Sequence, residues 1–156
     1  MVFQERTYGV LIVSASEQFF TAASDLLPVS DYWPVETAKT AAAARRRLLE
    51  TQFDIVLIQT PLRDEFGTAL AADVCRTTGA GALLLVRQEL YDDVYAKVME
   101  DGVTVLPVPT TQRMMAQTLR MLCAARERMR RMEEKQAMDL RQPIRTAAEN
   151  VIRTYR

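Results

Sequence analysis

The 156-residue sequence predicts an α/β fold: a doubly wound five-stranded parallel sheet with helices on both faces, then a long C-terminal helix and a short helical tail. Three observations predict it. Short apolar runs alternate five times with amphipathic helical stretches between residues 7 and 111, as parallel strands joined by crossover helices require. Two of the runs, Ile55 to Ile58 and Ala82 to Val86, are apolar without alternation, the pattern of strands covered on both faces. Residues 112–142 then hold neither proline nor glycine, so one helix can run through them.

Each element has its own local signal. Thr7 to Val13 is β-branched and apolar and reads as the first strand. Ser16 caps a helix whose apolar stripe is Phe19, Phe20, Ala23, Leu26 and Leu27, and Pro28 ends it. Trp33 to Thr37 is a short second strand, and Thr40 caps an alanine- and arginine-rich helix through Leu49. Asp54 to Ile58 is the third strand, followed by Gln59, Thr60 and Pro61. A helix over Gly67 to Thr77 turns Leu70, Val74 and Cys75 inward, and Gly79 and Gly81 break it. Ala82 to Val86, with no polar residue, belongs at the sheet centre. Glu89 to Asp101 is a helix closed by Gly102, and Val103 to Leu106 is the fifth strand. The fifth helix starts near Thr110 or Thr111. Pro143 suits a first helical turn, so Ile144 to Tyr155 reads as a separate final helix.

Composition narrows the function classes. Formal net charge is zero, but residues 1–111 hold nine Lys/Arg against fifteen Asp/Glu, and residues 112–156 hold eleven against five. This asymmetry points to an anionic partner for the basic part, or to a solvated helix whose arginines pair with Glu127, Glu133 and Glu134. Cys75 and Cys123 show no paired spacing and read as reduced, core-facing thiols of a cytoplasmic protein. Without histidine, zinc sites and histidine catalysis lose their usual residue. The N-terminal residues lack the pattern of a signal peptide, and no run approaches the ~18 apolar residues of a membrane span. Ser14, Ser16, Thr60 and Cys75 have no evident base beside them, and no phosphate-binding glycine loop follows a strand, so no enzyme is expected. No cofactor and no metal are expected. Glu17, Asp64 and Glu65 read as solvated loop acids rather than as an acidic metal site.

Four segments, "VLIVSAS", "FDIVLIQTPLRDEFG", "LLLVRQE" and "DGVTVLPVP", lie where a known family has its strand ends. Over residues 7–122 the chain resembles the receiver domain of bacterial response regulators. The resemblance implies a flavodoxin-like strand order 2-1-3-4-5, with residues 1–122 as a receiver-like domain and 123–156 as a helical extension. It also implies that the positions of phosphoryl-transfer chemistry have changed. The acidic pair that holds Mg²⁺ falls on Ser14 and Ala15. The phospho-accepting aspartate falls on Gln59, the switch hydroxyl on Arg87 and the lysine on Val108. Pro109 is kept, with a cis peptide expected before it. An amide cannot act as the carboxylate nucleophile, and Ser14 and Ala15 offer Mg²⁺ one neutral oxygen. Arg87 is expected to fill the vacated pocket beside Gln59 and close it.

A second stretch, "EKQAMDLRQPIRTAAENVIRTYR", resembles the C-terminal part of an ANTAR domain, a module of RNA-binding transcription antiterminators. Ala137, Met138, Leu140, Ala148, Val151 and Ile152 fall where that module packs its core. The stretch that supplies its first helix is missing here, so the tail is a shortened ANTAR-like segment. The resemblance implies a phosphorylation-independent antitermination regulator that binds RNA leader hairpins. Candidate phosphate contacts are Arg126, Arg128, Arg130, Arg131, Lys135, Arg141 and Arg145. A homodimer is expected along a seam of Leu122, Ala125, Met129 and Met132, with a possible protein partner on the receiver-like face. The alternative is a dimerising protein-interaction module that does not touch RNA.

Overall fold

The computed structural model of the chain describes residues 6–154, with side chains through residue 141. Strands β1 (Tyr8–Val13), β2 (Tyr32–Ala38), β3 (Ile55–Gln59), β4 (Gly81–Arg87) and β5 (Thr104–Val108) form one parallel sheet in the expected order β2-β1-β3-β4-β5. Helices α1 (Glu17–Ser24), α2 (Ala41–Glu50), α3 (Thr68–Thr77), α4 (Tyr91–Val98) and α5 (Gln112–Thr154) connect and follow the strands. Pro34 falls in β2, an edge strand, where a missing ladder donor is tolerated.

Strand alternation splits the core in two. Leu11, Val13, Val56, Ile58, Leu84 and Val86 pack with α2, α3 and α4. Val10, Ile12, Ile55, Leu57, Leu83 and Leu85 pack with α1 and α5. Leu57, Leu83 and Leu84 are fully buried, each such side chain contributing about 1.5–3 kcal/mol. The helix starts are capped as the sequence predicts: the Ser16 hydroxyl accepts from Phe19 N–H at 3.3 Å, and the Thr40 hydroxyl accepts from Ala43 N–H at 3.1 Å. Gly67 opens α3 at φ +127°, with methyl groups of Thr60 and Ile58 packed where a Cβ would sit.

Helix α5 departs from the expected pattern. It is one helix of 43 residues, about 65 Å long, and Pro143 lies within it rather than opening a second helix. Good helix formers flank the proline (Ala137, Met138, Leu140 and Arg141 before it, Ala147, Ala148 and Glu149 after), and these carry the backbone across the one missing N–H donor. Met115, Leu119 and Cys123 bury the first turns of α5 on the sheet, whereas every residue from 131 to 141 is exposed.

Candidate functional site

The carboxyl edge of the sheet brings Ser14 and Gln59 together. Ser14 follows β1, is fully buried, and donates its hydroxyl proton to Gln59 Oε1 at 2.5 Å while accepting from Ser16 N–H at 3.0 Å. Gln59 ends β3 opposite Leu85, and strand parity turns its side chain toward the α1/α5 face. Thr60 is tied down by its N–H and hydroxyl, both bonded to the Leu85 carbonyl. Val108 ends β5 half-buried, and the peptide between Val108 and Pro109 is cis, as expected. Ala15 is half-buried beside Ser14 and brings no polar side chain to the edge.

Arg87 does not join this group. Its side chain is 74% exposed and lies 3.6 Å from Glu89. Burying a guanidinium there would strip its water without offering a carboxylate in return. The expected closed pocket is therefore absent: a groove of about 280 Å³ opens beside Gln59, walled by Phe19 of α1, Leu26 in the turn after it, Leu85, Val108 and Met115 of α5.

Of the three acids, Asp64 and Glu65 are tied into the fold by hydrogen bonds, whereas Glu17, at the start of α1, stays exposed to solvent. Both Asp64 carboxylate oxygens accept N–H bonds from Ala41 and Ala42 at 2.9 Å, capping α2 from the loop before α3. Those bonds hold the Asp64 carboxyl below its ordinary pKa. Glu65 accepts from Leu70 N–H and from Arg45, and its ion pair raises the pKa of the Arg45 guanidinium. Glu17 pairs with Lys39 at 2.7 Å. Among the described residues no group of three or more His, Cys, Asp or Glu side chains is placed to hold a metal. Both cysteines are free thiols, and burial pushes each pKa up, away from thiolate chemistry.

At the opposite edge of the sheet the structure assembles a cluster that sequence reasoning missed. Asp54, just before β3, accepts from Gly9 N–H at 2.9 Å, from Arg126 Nε at 3.2 Å and from Arg130. Glu127 accepts from the Tyr8 hydroxyl at 3.2 Å and lies 3.6 Å from Arg130. The Arg126 and Arg130 side chains are only 13% and 14% exposed, and one terminal nitrogen of each is buried without a hydrogen bond. Two carboxylates and two guanidiniums thus clamp α5 to the domain. The available signal was an acidic residue opening a buried strand, together with arginines four apart on one helix.

This clamp corrects the list of phosphate contacts. Arg126 and Arg130 face the protein's own Asp54, because the turn after Cys123 places positions 126 and 130 over the sheet edge. Arg128, Arg131, Lys135 and Arg141 are exposed and form no ion pair among the described residues; Arg145 lies outside the described side chains. Arg128, Arg131 and Lys135, spaced three and four apart, share one helix face. Of the expected dimer seam, Leu122 is instead used within the chain, packing over Gly81 where β4 begins without a side chain. Ala125 is half-buried, and Met129 and Met132 are 46% and 63% exposed. Met138 and Leu140, expected to pack in an ANTAR-like core, are exposed; the side chains of Ala148, Val151 and Ile152 lie outside those described.

No helix among the described residues is long and apolar enough to cross a membrane. The sequence matches no protein-family model and no curated protein. Solved structures are similar in fold. The signal receiver domain of an HD domain-containing protein from Pseudomonas fluorescens Pf-5 superposes with a TM-score of 0.72 at 20% identity, over 84% of this chain and 96% of that one. A CheY-like response regulator receiver domain protein from Methanospirillum hungatei JF-1 gives 0.67 at 19% identity, over 79% and 98%. A structure described as an adenylate cyclase from Rhodopirellula baltica gives 0.74 at 14% identity, over 83% and 96%. The sheet order, the five helices and these superpositions agree: the chain has the fold of a response-regulator receiver domain.

Proposed function

We propose that the protein is a receiver-fold regulator whose output does not run through aspartyl phosphate and whose long basic helix binds structured RNA, in the manner of a transcription antitermination factor. The observation that carries the reading is the set Arg128, Arg131, Lys135 and Arg141: exposed cations, unpaired among the described residues, on a helix that leaves the domain. Arginines serving only as a solvated face would be expected to pair with Glu127, Glu133 and Glu134; Arg130 does lie against Glu127, but among the described residues nothing pairs with Glu133 or Glu134. Gln59 supports the other half of the reading, since an amide held by Ser14 offers no nucleophile to a phosphodonor.

The test is titration of the full chain into a two-hairpin leader RNA at several salt concentrations. Phosphate contacts give a linear fall of log affinity with log salt, about 0.7–0.9 per phosphate neutralised. Replacing Arg128, Arg131 and Lys135 by alanine lowers that slope by about one unit for each cation removed. Absence of binding at micromolar protein and low salt overturns the RNA reading. The second reading, an interaction module working through helix pairing alone, is favoured by the exposed Met121, Met129 and Met132 on α5.

A further inference from the structure

The groove beside Gln59 has no role in the reading above, and its chemistry is specific. Its walls include Phe19, Ala22 and Leu26 on one side, Val108 and Met115 on the other, with Leu85 and Gln59 also lining it. No Asp, Glu, Lys or Arg lines it. Its polar lining is neutral: the Gln59 and Gln112 amides with Thr110 and Thr111, of which Gln59 is the one held in place by a buried partner. Gln59 Oε1 is committed to the Ser14 hydroxyl, and Ser14 is held in turn by Ser16 N–H, so the amide is fixed with Oε1 inward. Its Nε2 has no hydrogen-bond partner among the described residues. A donor fixed in position beside apolar walls is the usual composition of a small-molecule site. Its place also fits, because open α/β sheets bind ligands at the carboxyl ends of their strands, and here Gln59 ends β3 and Val108 ends β5.

We propose that this groove binds a small uncharged organic molecule with an apolar body and one hydrogen-bond acceptor, such as a ketone or amide carbonyl, received by Gln59 Nε2. The absence of ionic lining selects against charged ligands, whose desolvation would go uncompensated. The volume, about 280 Å³, limits the ligand to less than ordinary drug size. The bound molecule touches Thr111, Gln112 and Met115, at the start of the helix that carries the basic face. The site does not depend on RNA binding.

The experiment is ¹H–¹⁵N correlation spectroscopy of the full chain, titrated separately with acetophenone, ethylbenzene and benzoate. Acetophenone is expected to give saturable shifts confined to amides around Ala22, Gln59, Thr111 and Met115. Ethylbenzene, with the same shape and no acceptor, is expected to bind about tenfold more weakly, the ratio for one hydrogen bond of ordinary net strength. Benzoate is expected not to saturate. Ala22→Phe, at an exposed position of α1 that lines the groove, abolishes the acetophenone shifts while the remaining spectrum shows the fold intact. Gln59→Leu makes acetophenone and ethylbenzene equal. Shifts that are linear in ligand, spread over the surface, unchanged by Ala22→Phe, or equally strong for benzoate overturn the proposal.

Discussion

At the residue scale, Asp54 and Asp64 show how far the acids of this chain are tied to structure. Asp54 is buried with two guanidiniums, so removing it leaves Arg126 unpaired against the sheet edge and Arg130 with Glu127 alone. Asp54→Ala is expected to destabilise the fold by about 3 kcal/mol, read as a fall in the urea midpoint. Asp54→Leu combined with Arg126→Met and Arg130→Met restores most of that loss, since an apolar cluster of similar volume replaces the ion pairs. A triple variant no more stable than Asp54→Ala would show that the clamp is not the source of the effect. Asp64 gives a pH signature instead. Its folded pKa lies below the ordinary value of about 4, because Ala41 and Ala42 N–H groups favour the carboxylate. As pH falls, the unfolded chain takes the proton first. The contribution is therefore complete above the ordinary pKa and disappears as pH drops through the folded one. Urea titrations between pH 5 and 2, at round values chosen around that pKa, should show a shallower acid loss in Asp64→Asn. Gln59 was legible from sequence as a polar residue ending a buried strand, because a continuous apolar run announces its own edge. The Asp54 clamp was not, because its partners lie more than seventy positions away.

At the element scale, capping and alternation made nearly every boundary readable. Ser16, Thr40 and Gly102 are local signals, and local signals survive folding because they act through the backbone within a turn. Gly67 is the sharpest case. Its φ of +127° strains any side chain, and the Thr60 and Ile58 methyl groups, 3.1 and 3.2 Å from an added Cβ, would have to give way by a few tenths of an ångström. Gly67→Ala is expected to cost about 1–3 kcal/mol, measured by thermal or urea unfolding, with strain rather than lost contacts as the cause. Pro143 is the element that misled. Proline disfavours a helix interior but does not forbid one, and the flanking propensities here outweigh it. Arg87 misled for a different reason: the strand end was read correctly, but side-chain direction beyond a strand end follows solvation rather than strand parity.

At the scale of the whole molecule, the acidic domain and the basic helix are separate bodies of charge joined through the clamp. With Arg126 and Arg130 held by Asp54 and Glu127, the exposed Arg128, Arg131, Lys135 and Arg141 remain unpaired, among the described residues, on the outer part of α5. The helix also exposes Met121, within the packed turns, and Met129 and Met132 further out, and a projecting helix with uncovered apolar side chains gains little stability alone. Helix pairing between two copies is the expected result. Sedimentation or light scattering should give a dimer mass for the full chain and a monomer mass for Met121→Glu with Met132→Glu, with the domain still folded by circular dichroism. A monomer mass for the unaltered chain at tens of micromolar, a concentration well above an ordinary ~1 μM dimer constant, would count against pairing.

The sequence by itself determined the sheet, the strand ends and the amide at Gln59, because hydrophobic period and capping are encoded within a few residues. It also separated an acidic stretch from a basic one. Only the tertiary structure decided which arginines are free and which are consumed, that Arg87 faces water, and that a groove stays open beside Gln59. Those outcomes depend on which distant side chains meet at a sheet edge, and on whether a charge there finds a partner that offsets its desolvation.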